Sequence, residues 1–129
     1  MFQNKVEVMA MARAMAAHAS AAHSVVARNM ANADTPGFVA LDAPAFADVW
    51  ADAGRGDLRQ TRAGHMGGDG RVDLRLRVAD SQPDPNGNSV SIERETFKAA
   101  TILQQHDMAL GIYQSLSGAL RSALGRGGR

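Results

Sequence analysis

Four histidines, at positions 18, 23, 65 and 106, are the natural metal ligands of a chain that has no cysteine. His18 and His23 stand five apart, a spacing that does not place two side chains on one face of a helix. His65 and His106 are isolated, and no H-E-x-x-H motif occurs. The stretch G-G-D-G-R-V-D at 67–73 approaches the calcium-binding glycine–aspartate nonapeptide, but its aspartate comes one place late and the unit does not repeat. Asp84, Asn86, Asn88 and Glu95 hold positions one, three, five and twelve of a calcium helix-loop-helix. The sixth position, which needs glycine for the sharp turn, is Ser89, with Gly87 two places early, and Pro83 stands where a helix should lead in. The preferred reading of residues 84–95 is therefore a turn followed by a helix cap, and a calcium-responsive helical binding or adaptor module is the alternative. No cofactor or metal site is expected. No Ser/His/Asp set, paired carboxylates or phosphate-cradling glycine loop is legible, so a non-enzymatic protein is expected.

Bulk properties narrow the class further. The 129 residues suit one domain, and a net charge of +1 gives no electrostatic reason to bind nucleic acid. No apolar run is long enough to span a membrane. Lys5, Glu7, Arg13, His18 and His23 interrupt any signal-peptide core, so export, if it occurs, needs no cleaved signal. Much of the 45% hydrophobic content is alanine; Leu, Ile, Val and Phe together make only 25 of 129 residues. That is just under the roughly 20% at which solitary cores become weak. Alanine contributes little on burial, whereas a large aliphatic side chain contributes about 1.5–3 kcal/mol. A core completed by other copies or partners is the expected consequence.

The elements that position these residues are a helix, an irregular middle and a second helix. Residues 3–32 lack Pro and Gly and are rich in Ala, Met and Arg, which predicts a helix of about 28 residues, some 42 Å long. Val8, Met11, Met15, His18, Ala22, Val25, Asn29 and Asn32 alternate at spacings of three and four, a coiled-coil-like seam in which buried asparagine sets register. Asp34 is placed to bond forward to backbone N–H groups, and Thr35-Pro36-Gly37 predicts a type II turn. Residues 42–53 read as a short helix capped by Asp42, with Phe46, Val49 and Trp50 on one face. Residues 58–62 and the alternating 72–78 suggest a β-ribbon closed through 65–70. Residues 80–88 are loop. Ser89 or Ser91 can cap a last helix running from Ile92 to about Leu124, with Glu93 and Glu95 in its first turn. Its seam is Ile92, Glu95, Ala99, Ile102, His106, Ala109, Tyr113, Leu116, Leu120 and Ala123. Gly111 and Gly118 inside it suggest close approach of another helix. The fold expected is mainly α, with two long terminal helices forming a coiled-coil-like pair around a Gly-rich middle. Residues 1–33, 34–90 and 91–129 are its three parts within one domain.

The stretch A-R-N-M-A-N-A-D-T-P-G-F at 27–38 closely resembles the signature N-(I/M)-A-N-(A/x)-x-T-P-G-(F/Y) of the flagellar basal-body rod proteins. Asn29, Ala31, Asn32, Thr35, Pro36, Gly37 and Phe38 match, and Asp34 gives the A-D-T-P-G form. The short chain, L-x-x-T-x-x-x-H-M (Leu58, Thr61, His65, Met66) and P-N-G-N-S-V-S-I-E-R-E at 85–95 are similar to the proximal-rod, FlgB-type members. The resemblance is loose over 40–57 and 67–84. It implies a structural subunit that leaves the cell unfolded through the flagellar type III export apparatus. It also implies packing of terminal helices against other copies, other rod proteins and the components joining the rod to the MS ring, without nucleic acid or membrane insertion. Motility and self-assembly are the implied roles, in a rod that spans the periplasm.

Overall fold

The computed structural model describes residues 2–56 and 74–125. Three helices and one two-stranded ribbon make up the regular structure there: α1 (Phe2–Ala31), β1 (Leu41–Asp42), α2 (Phe46–Gly56), β2 (Arg77–Val78) and α3 (Ile92–Gly125). The two terminal helices match their expected positions to within a residue or two. α1 carries no proline or glycine over 30 residues, so nothing within it breaks the backbone ladder. It closes by tightening: the Asn32 N–H donates to Asn29 O (3.1 Å) and the Ala33 N–H to Met30 O (3.2 Å), the i→i+3 bonds of a fraying end. The chain then reverses through the predicted type II turn, in which the Phe38 N–H donates to Thr35 O at 3.2 Å and Gly37 takes φ +73°.

α1 and α3 pack on each other, and Asn29 in the last turn of α1 bonds Glu95 in the first turn of α3. The pairing is therefore antiparallel. The stripe buried within the protomer shares His18, Ala22 and Asn29 with the predicted seam and adds Ala12, Ala19 and Val26, which stand at intervals of seven. Met15 and Val25 are half-buried beside it, while Val8 and Met11 are exposed. On α3, Glu95 and Ala109 are buried, and Ala99, Ile102, Tyr113, Leu116 and Leu120 are half-buried. Alanine wins the contact line because it lets two backbones approach closely, which turns bulkier neighbours to the flanks. Gly111 and Gly118 do not mark a close approach within the protomer, since a Cβ added at either would meet nothing within 4 Å.

Two local expectations are corrected. The short helix begins at Phe46, not at Asp42, and its first turn is anchored where the Asp48 and Val49 N–H groups donate to Ala45 O at 3.1 and 3.2 Å. Asp42 instead belongs to β1. The strand expected over 72–78 is regular only at Arg77–Val78 among the described residues, where β2 pairs antiparallel with β1, Leu41 opposite Val78 and Asp42 opposite Arg77. Residues 58–62 and 65–70, the other half of the expected ribbon, lie outside the described residues, and residues 74–76 carry no ladder. A two-residue ribbon is too short to stand alone. Here it is held by tertiary bonds, including the Ala79 N–H to Ala40 O at 2.9 Å.

Candidate functional site: a buried polar joint

Where the end of α1 meets the start of α3, the interior changes from alanine to amide and carboxylate. The largest fully buried side chains of the described residues are Glu95, Asn29 and Asn88, none of them apolar. Each arrives from a different place: Asn29 from the last turn of α1, Glu95 from the first turn of α3, and Asn88 from the loop between β2 and α3.

Asn29 acts as a one-residue extension of the ribbon. Its Nδ2 donates to Leu41 O at 2.8 Å, and its Oδ1 accepts the Leu41 N–H at 3.2 Å. The side-chain amide thereby presents to the strand the donor and acceptor pair that a neighbouring backbone would offer. The second Nδ2 hydrogen reaches Glu95 Oε2 at 3.1 Å. Glu95 Oε1 accepts from Lys98 Nζ at 2.8 Å, one helical turn on, and the same ammonium bonds Asp42. Partial burial works against the charged form of Lys98, but the bonds to Asp42 and Glu95 together outweigh it and raise the pKa above the ordinary lysine value. The chain Leu41–Asn29–Glu95–Lys98–Asp42 closes on itself and ties helix, strand and helix at one point.

Asn88 gathers the end of α1 and its turn from afar. Its Nδ2 donates to Asn32 O (2.9 Å), Ala33 O (2.9 Å) and Thr35 O (2.8 Å); Asn32 O and Thr35 O also accept the backbone N–H groups of Thr35 and Phe38, whereas Ala33 O takes no backbone donor among the described residues. Its Oδ1 accepts the Val90 N–H at 2.8 Å. A helix C-terminus is thus capped from more than fifty residues away. Alongside, the Gly37 N–H donates to Asn86 O (3.0 Å) and the Ser89 N–H to Phe38 O (3.0 Å), while the Ala40 N–H donates to Ser89 Oγ (2.8 Å). Gly87 takes φ +81°, and a Cβ there would come within 3.3 Å of Gly37 Cα, so two left-handed glycines pack backbone on backbone.

The residues singled out from sequence separate clearly. Asn29 is buried in the joint and positioned to set register. Asn32 turns to local work, its Nδ2 donating to Arg28 O (2.8 Å) and its Oδ1 accepting from Thr35 Oγ1 (3.2 Å). Asp34 and Pro36 are exposed, and among the described residues the Asp34 carboxylate takes no hydrogen bond, against the forward bond expected of it. Ala31 is exposed and Phe38 half-buried. Ser91 caps α3, accepting the Arg94 N–H at 3.4 Å, whereas Ser89 is used by Ala40. Glu93 sits in the first turn, where a backbone N–H and then the Ser91 hydroxyl hold its carboxyl below the ordinary glutamate value. Of the four residues spaced as in a calcium loop, three are otherwise engaged: both Glu95 oxygens face Asn29 and Lys98, Asn88 Oδ1 takes Val90, and Asn86 Oδ1 accepts the Asn88 N–H at 3.0 Å. His18 Nε2–H donates to Pro44 O (2.8 Å), and the ring stands edge-on to Phe46 at 5.6 Å. Lys98, Asp42 and Asn88 are the joint residues that sequence patterns did not single out for this role.

Between α1, residues 41–46 and α3 lies a groove of about 280 Å³ lined by Val25, Phe46, Phe97 and Ile102. Among the described residues, no group of three or more His, Asp or Glu side chains is placed to hold a metal ion, and no helix is long and apolar enough to cross a membrane. No protein-family model matches the chain, and no curated protein matches it.

Proposed function

We propose that this protein is a structural, non-enzymatic subunit of the proximal rod of the bacterial flagellar basal body, transmitting torque through packed terminal helices. The observation that carries the assembly reading is the distribution of apolar side chains. Among the described residues, six of the seven buried hydrophobic residues are alanine, the other being Val26, while Phe97 is 75% exposed, Leu103 60%, Val6 58% and Met108 52%. Large side chains left in water on both helices are a surface built to be covered. Each would contribute about 1.5–3 kcal/mol when a neighbour buries it. Partners of the proposed rod subunit are its own copies, the other rod proteins and the MS-ring and adaptor components, reached through type III export.

The choice of the rod rests on the motif resemblance. Its two segments, residues 27–38 and 85–95, meet in the joint: Asn29 bonds Glu95, and Asn88 caps the helix that carries the motif. A motif kept for such a joint needs no catalytic group. The test is purification of hook–basal bodies from cells expressing a tagged chain. The tagged chain is expected in the rod fraction, and its consistent absence there, with the chain stably expressed, would contradict the assignment.

A further inference from the structure

The single Asn-Gly pair of the sequence, Asn86-Gly87, lies in the turn that feeds the joint. Asn86 and Gly87 are both exposed, and Gly87 lacks the side chain that hinders approach to its nitrogen. We propose that Asn86–Gly87 is a spontaneous modification site, a succinimide-forming pair that the folded joint holds unreactive and the unfolded chain exposes.

The chemistry needs only water and base. The Gly87 amide nitrogen gives up its proton and attacks Asn86 Cγ, forming a C–N bond. The Cγ–Nδ2 bond then breaks, and the leaving nitrogen departs with a proton as ammonia. Water opens the five-membered imide at either carbonyl. Opening at Cγ gives aspartate at position 86, and opening at the main-chain carbonyl gives isoaspartate, in which the backbone runs through the former side chain. The net change exchanges an amide for an acid, with no oxidation or reduction.

Two hydrogen bonds restrain that attack in the fold. The Gly87 N–H donates to Asp84 O at 2.8 Å, so the proton that must leave is held and the nitrogen is fixed in a turn. Asn86 Oδ1 accepts the Asn88 N–H at 3.0 Å, which anchors the carboxamide. Asn88 is itself locked by three carbonyls, so the turn cannot swing without uncapping α1. Product formation would be damaging. An inserted backbone carbon moves Asn86 O away from the Gly37 N–H and parts the two packed glycines. A chain that dwells unfolded would then acquire a one-way mark that prevents the joint from closing. This holds whether or not the chain is a rod subunit.

The experiment incubates the full chain at mildly alkaline pH in two states. One is folded, with helix verified by far-ultraviolet circular dichroism and trimethylamine N-oxide added to secure it. The other is unfolded in concentrated urea. Peptide mapping by mass spectrometry and isoaspartyl methyl transfer follow position 86. The folded chain is expected to react at least about tenfold more slowly, the factor that an opening free energy of about 1.4 kcal/mol supplies. Asn88→Ala should raise the rate in the folded sample toward the urea rate, and Gly87→Ala should slow reaction in urea. Equal rates in helical and urea-unfolded wild-type chain would overturn the proposal. So would a product in urea that contains aspartate without isoaspartate, because direct hydrolysis would then be the route.

Discussion

The joint and the helical stalk beyond it follow opposite rules. In the joint, residues 29–42 and 77–98 bury amides, a carboxylate and backbone groups in a closed network, with little apolar side-chain volume. Along the stalk, α1 and α3 meet on alanine and turn their larger side chains outward. Hydrogen bonds are directional and leave a large penalty when a buried group loses its partner, whereas an alanine contact line tolerates sliding. The joint is therefore what determines which residue of α1 lies opposite which residue of α3. The stalk supplies the apolar surface that remains available to neighbours.

This contrast can be broken by substitutions in either region. The largest effect is expected for Asn88→Ala, which leaves Ala33 O and the Val90 N–H without their partner and takes a second donor from Asn32 O and Thr35 O. An orphaned buried polar group costs about 1–3 kcal/mol, so a loss of about 3 kcal/mol is expected from urea unfolding midpoints with an unchanged m-value. Gly87→Ala comes next, at about 1–2 kcal/mol, because φ +81° is unfavourable for an L-residue and Gly37 Cα lies in the way.

Titration of Lys98 should be smaller and confined to high pH. Its folded pKa is raised, so its contribution is complete below the unfolded lysine value and is lost as pH rises through the folded one. Wild-type stability should fall in that alkaline window more steeply than that of Lys98→Met. The smallest effect on the protomer is expected on the stalk. Leu103→Asp at an exposed position should change unfolding free energy by within about 0.5 kcal/mol. On the proposed function, the same variant should fail to enter the rod. A stalk substitution that destabilised the protomer as much as Asn88→Ala would erase the distinction between the two regions.

Much of the architecture was legible from local chemistry. A long stretch without Pro or Gly gave α1, a capping serine followed by acidic residues and apolar spacing gave α3 despite Gly111 and Gly118, and Pro36-Gly37 gave the turn, because these features act within a few residues. The periodicity of residues 8–32 included His18, Ala22 and Asn29 of the buried stripe but passed over its alanines at 12 and 19. It weighted Met11 and Val25 by hydrophobicity, whereas close approach favours Ala12 and Ala19. Asp42 looked like a helix cap from its neighbours, yet β2 and Lys98 claim it from far along the chain. The joint was half visible. Asn29 and Glu95 stood out as polar residues within apolar seams, a pattern that points to a buried partner. Asn88 carried no such mark, because a capping asparagine and a loop asparagine look alike until the helix end it serves is known.

The account's central claim, that the joint orders the protomer while the stalk awaits partners, is tested most directly by amide hydrogen exchange on the isolated chain. Strong protection is expected for the N–H groups of Gly37, Ala40, Leu41 and Ser89 and for the first turns of α3 beyond its cap. Rapid exchange is expected toward the far ends, around residues 3–11 and 112–124. Uniform protection along both helices, or a protected stalk with an open joint, would contradict it.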